Sequence, residues 1–117
     1  MAIQIVTSQI TRRELHRLAE ETYGVMIKAV ADLKRGVIAF GGQMHADGRA
    51  MLLIDGSASK DLWGFCLKFN GTLDEAFDFS SHINMRSEDG NASILIKNEE
   101  ICSQIMALTR QRVDWNR

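Results

Sequence analysis

At 117 residues the chain is the size of one domain, residues 1–117, and folding at that length buries roughly two-thirds of the surface an unfolded chain exposes. That is enough for a core without disulfide or metal staples. With 14 basic and 15 acidic side chains the net charge is −1, which excludes a broad positive field for holding nucleic acid or an anionic membrane. No apolar run approaches the ~20 residues that span a bilayer.

The opening IQIV (3–6) is a short β-prone run. ITRREL follows, where Thr11 is placed to cap a helix and Glu14, three residues on, to reach back to the cap. Leu15, Leu18, Ala19 and Tyr23 then keep a period of 3.6, and Gly24 supplies a stop, so a helix is predicted over 12–23. The period changes to two in VMIKAVADL (25–33), with Ile27, Ala29, Ala31 and Leu33 on one face and Lys28 and Asp32 on the other. KRG reads as a hairpin connection into VIAFG (37–41).

AMLLI (50–54), apolar on both faces, predicts a central strand. WGFCLKF (63–69) and FDFSSHINMR (77–86) alternate and predict two more strands, with NGT (70–72) as the turn between them. SEDGNAS (87–93) is a loop, and ILI (94–96) is a short apolar run. Asn98 caps a last helix, EEICSQIMALTRQRV, whose glutamates and arginines match the helix dipole. The chain contains no proline, so its turns rest on Gly, Asn, Asp and Ser. The predicted fold is α+β: an antiparallel sheet of about five to six strands, arranged as a meander, with the N-terminal and C-terminal helices packed on one face.

Chemistry has few places to reside. His45 and Asp47 lie two apart, with Asp55 and Asp61 farther on. On the predicted strands Asp47 and Asp55 would be separated by roughly 26 Å, so the expected role of His45 and the aspartates is in turns. Trp63 reads as a large core residue whose indole N–H finds a carbonyl. Asp78, Ser80 and His82 share one strand face at steps of ~7 Å, too far for the contacts of a catalytic triad. Asn84, Arg86 and Asn91 surround a glycine-containing loop able to form an anion-binding nest, although Glu88 and Asp89 oppose an anion there. Cys66 and Cys102 stand outside any CxxC or metal spacing and read as small buried apolar residues.

The segments GGQMHAD, LLIDGS, DLWGF, and INMR followed by GN, in that order, resemble a small family of bacterial proteins known only as a domain of unknown function. The resemblance runs from the first strand to the last helix. It departs where the family's strand after DLWG carries Asn and Tyr, here FCLKF, and where INIR leads into Pro, here INMRSEDGN. It implies one compact domain and supplies no reaction. His45, Asp47, Asp61, Trp63, Asn84, Arg86 and Asn91 are the matching positions, and they are the candidate ligand-binding residues.

The expected function is therefore unknown chemistry in a small non-catalytic binding or regulatory domain that self-associates as a homodimer, since a sheet edge left open needs protection. The alternative is a small metal- or anion-dependent hydrolase using His45, Asp47, Asp61 and Arg86. No cofactor and no resident metal is expected. Neither a membrane nor nucleic acid is an expected partner: Arg12, Arg13 and Arg17 on the first helix, and Arg110, Arg112 and Arg117 near the end, are diluted by acidic neighbours. The opening MAIQIVTSQITRRE lacks the apolar core of a secretory signal, so the expected location is cytoplasmic.

Overall fold

The computed structural model describes residues 2–117. In chain order the elements are β1 (Ile3–Val6), β2 (Ile10–Thr11), α1 (Arg12–Ala19), β3 (Met26–Asp32), β4 (Val37–Gly41), α2 (His45–Ile54), β5 (Leu62–Lys68), α3 (Leu73–Ala76), β6 (Phe77–Asp78), α4 (Glu99–Arg112) and β7 (Val113–Asp114). Short 3-10 turns fall at 59–61, 82–84 and 87–89.

The local signals at both ends act as their chemistry requires. Thr11 accepts from the Glu14 backbone N–H while the Glu14 carboxylate accepts from the Thr11 backbone, closing the capping box of α1. Asn98 caps α4 by accepting from the backbones of Glu100 and Ile101. A second capping box, Thr72 with Glu75, starts the single turn of α3. The predicted helix over 12–23 is shorter than expected: α1 ends at Ala19, and residues 20–24 form turns in which Gly24 donates to the Ala19 carbonyl.

Five strands form one antiparallel sheet in the order β1-β4-β3-β5-β6. The α+β class and the five-stranded antiparallel sheet agree with the sequence reading; the order is not that of a meander. β3 and β4 form the predicted hairpin through KRG, and β5 then pairs with the far side of β3. Since β4 and β5 both run antiparallel to β3, they are parallel to each other, and a chain joining parallel strands must cross over one face of the sheet.

That crossover is α2, which corrects the expected central strand over 50–54. The HADG expected as a hairpin loop is its first turn. A short apolar run does not distinguish strand from buried helix, and α2 lacks a side-chain cap that would have marked it. Its buried positions are His45, Gly48 and Leu52, at helical spacing. Gly48 has a packing reason: a Cβ there would lie 3.2 Å from the Val30 side chain, so the missing side chain lets the helix settle onto β3.

The strand expected over 77–86 also shortens. Only Phe77 and Asp78 pair with β5, and the chain then turns at 82–84. Residues 94–96 close that side instead, with Ser81 donating to the Ile94 carbonyl and Ile96 to the Phe79 carbonyl. Two cores result. One holds Ile27, Ala29, Ile38, Phe40, Phe65 and Leu67 with Leu15 of α1 and Ile105 of α4. The other, on the opposite side of the sheet, holds Val30, Val37, Ala39 and Leu62 with Leu52 of α2. Asp32, on the face of β3 opposite Ala29 and Ala31, is fully buried: it accepts from the backbones of Lys34 and Arg35 in the hairpin and from the Ser57 hydroxyl after α2.

Candidate functional site

The candidate residues divide into a lock and a cavity. Asn84 is fully buried, and its side-chain amide meets the edge of β5: Oδ1 accepts from the Gly64 N–H at 2.8 Å and Nδ2 donates to the Gly64 carbonyl at 2.9 Å. The side chain thus takes the place of a strand partner where β6 has ended. Asn91 does the same work one layer out. Its Nδ2 donates to the carbonyls of Asn84 and Ser93, both at 2.8 Å, and its Oδ1 accepts from Lys97. Both amides are spent on backbone groups.

Arg86 completes the lock. Its guanidinium lies 4.0 Å from the ring centre of Trp63, and Nη1 donates to the Ser59 carbonyl at 2.7 Å. Asp89 Oδ2 stands 3.3 Å from Nε. Burial outweighs this neighbour and lowers the guanidinium's pKa from its ordinary value. Asp61 ends the 3-10 turn that presents Ser59, and its carbonyl accepts from Leu33. Trp63, Asn84, Arg86 and Asn91 are therefore brought together, around the start of β5, and together they hold the irregular 79–97 segment against the sheet.

His45 lies elsewhere. It is the first residue of α2 and buried, and its Nε2 is 2.7 Å from the Phe65 carbonyl. A carbonyl only accepts, so Nε2 carries the proton and Nδ1 the lone pair. Burial drives the imidazole's pKa down to about 4, chiefly by desolvating the charged form. The Cys66 thiol is 3.7 Å from the same Nε2, and burial pushes its pKa up. Because Nε2 is already a donor, it cannot take the thiol's proton, and the pair is not an activated nucleophile.

Below His45, Lys28, Cys66 and Asp78 stand directly opposite one another on β3, β5 and β6, and so share the sheet face covered by α2. Beside them a cavity of about 270 Å³ is lined by Tyr23, Lys28, His45, Ser81 and His82 among others. Tyr23 donates to the Gln43 carbonyl at 2.6 Å, and the Lys28 ammonium sits 5.4 Å from the Tyr23 ring centre. Among the described residues Lys28 has no carboxylate partner. Of this set only His45 was a candidate from sequence. The signal for the others was a lone charge within the apolar alternation of β3, but which residues oppose it depends on strand register.

Asp47 is exposed on α2 next to Gly42. Trp63, under Arg86, and Cys66, under His45, are three positions apart on β5 and project to opposite faces, so Arg86 and His45 do not share a site. Among the described residues no three His, Cys, Asp or Glu side chains converge as metal ligands. Nothing in this geometry supports the hydrolase built from His45, Asp47, Asp61 and Arg86.

Fold and site define a small α+β domain with a split strand–helix–strand crossover, an amide-locked sheet edge and a cavity beside His45. Residues 4–112 match the family described as protein of unknown function (DUF5674), and the chain belongs to it. No curated protein and no solved structure matches the chain.

Proposed function

We propose that the domain binds a small carboxylate-bearing molecule in the cavity beside His45 and does not turn it over. The observation that carries this reading is the Lys28 ammonium on the cavity wall without a carboxylate of its own. The Ser81 hydroxyl and the His82 ring offer further polar contacts to a carboxylate, and Tyr23 and Met44 an apolar wall. A neutral His45 and a protonated Cys66 are suited to binding and unsuited to proton transfer at neutral pH.

A thermal-shift panel of small carboxylates, phosphates and neutral sugars tests it. A carboxylate at 100 times its dissociation constant adds about 2.7 kcal/mol, a shift of several degrees for a domain this size. That shift is expected to vanish in Lys28→Gln. A shift that survives the substitution, or one given equally by neutral sugars, counts against the reading.

Self-association rests on a separate observation. β1 is the outermost strand at one side of the sheet and pairs only with β4, whereas the β6 side is covered by residues 94–96. An open edge of this kind favours antiparallel pairing with a second β1 across a two-fold axis. Sedimentation equilibrium is expected to give twice the chain mass of 13.1 kDa; the monomer mass at all concentrations rejects the dimer. No helix of the described residues is long and apolar enough to cross a membrane. Nucleic acid is not part of this reading, since Arg35 and Arg110 are paired with Asp55 and Asp74. A cytoplasmic location fits cysteines that are both unpaired.

A further inference from the structure

The two arginine sets that are far apart in the chain meet in space. β2 and β7 pair in parallel, Ile10 with Val113 and Thr11 with Asp114, and this carries the residues after Asp114 to the start of α1. There the Arg13 backbone N–H donates to the Arg117 carbonyl at 3.3 Å. The Arg12 guanidinium lies 4.7 Å from the Trp115 ring centre and donates through Nη2 to the Phe69 carbonyl at 2.8 Å. Phe69 and Trp115 are parallel, with centres 5.8 Å apart.

Between these groups is a hollow of about 350 Å³ lined by Arg12, Arg13, His16, Phe69, Trp115 and Arg117 among others, with no Asp or Glu side chain on its wall. The nearest candidates to neutralise it are occupied. Glu14 is held in the capping box, Glu20 faces His16 at 3.2 Å, and Asp114 reaches Arg117 only at 3.7 Å. Nε of Arg12 is buried without a partner. Phe69 and Trp115 pack on the core beneath α1, on the side of the sheet opposite the His45 cavity.

We propose that this hollow binds a phosphate monoester carried on a small planar-ring molecule, such as a nucleoside 5′-monophosphate. The Arg13 and Arg117 guanidiniums, with the charge of Arg12 held behind them against Trp115, match the several oxygens and double charge of a phosphate better than a single carboxylate. The hollow is several times larger than a phosphate needs, and Phe69 and Trp115 give the remainder of the ligand an aromatic wall. The site is independent of the carboxylate cavity.

Calorimetric titration with adenosine 5′-monophosphate, adenosine and an unphosphorylated oligonucleotide tests the proposal. The monophosphate is expected to bind at least about tenfold more tightly than adenosine, and Arg13→Gln and Arg117→Gln each to weaken it by about tenfold. Arg17→Gln, on the exposed side of α1 and outside the hollow, and Lys28→Gln, in the other cavity, are expected to leave it unchanged. Absence of heat at millimolar monophosphate overturns the proposal, as does equal binding of adenosine. So does tighter binding of the oligonucleotide, which would make the patch a nucleic-acid surface. Loss of binding in Arg17→Gln equal to that in Arg13→Gln overturns it too, as does loss in Lys28→Gln.

Discussion

His45 makes stability depend on pH through a single ring. Its folded pKa of about 4 lies below the ordinary value of 6.5, so between those values the unfolded chain binds the extra proton. The stabilisation is fully present above pH 6.5 and is lost as pH falls toward 4. Denaturant unfolding is expected to show a loss of about 2–3 kcal/mol across that window, and His45→Gln to flatten it. An unchanged slope in the variant would assign the pH dependence to other groups. Asn84 presents a different single-residue test. Asn84→Ala leaves both polar groups of Gly64 unpaired in a buried site, at about 1–3 kcal/mol for each. Asn84→Asp is expected to be no better, since a carboxylate cannot donate to the Gly64 carbonyl. A small loss in urea unfolding for either would mean that the sheet edge is not held by this amide.

Among the elements, α2 is the one whose type the sequence mistakes, a helix where a strand is expected, and the reason lies in Gly48. A glycine after an aspartate reads as a turn, yet here its missing side chain is what seats the helix against Val30 and Ala39. Alanine is favoured over glycine in a helix by about 1 kcal/mol, but overpacking at a tight contact costs about 1–3 kcal/mol. Gly48→Ala is therefore expected to lower the unfolding free energy by about 1 kcal/mol, and a gain in stability would show that Val30 yields easily. By contrast α1 and α4 were legible because their caps lie beside them in the chain: Thr11 with Glu14, and Asn98 with the two N–H groups it serves. Phe77–Arg86 misled for the opposite reason. Its alternation is real as far as Asp78, after which a side-chain amide rather than a backbone strand completes the ladder.

Across the whole molecule, the contacts that close the fold join its two ends. The C-terminal residues pair with β2, and the Trp115 indole N–H donates to the Gly71 carbonyl at 3.0 Å. Trp115→Ala is expected to cost about 2 kcal/mol of stability in denaturant unfolding, less than the ~3–5 kcal/mol of a fully enclosed tryptophan, because this ring is half-exposed. A negligible loss would mean that the tail rests on β2 and the start of α1 without supporting them. What the residues by themselves determined was local: the Thr11–Glu14 capping box, the Asn98 cap, the hairpin at KRG, the period of two in β3 and the class of fold, each set by side chains a few positions apart. The crossover of α2, the pairing of Asn84 with Gly64, the alignment of Lys28 with Cys66 and Asp78, and the meeting of Arg13 with Arg117 were decided only by tertiary structure. Each depends on strand register and on which face a helix covers, and those are chosen by the packing of distant residues rather than by any stretch of neighbouring ones.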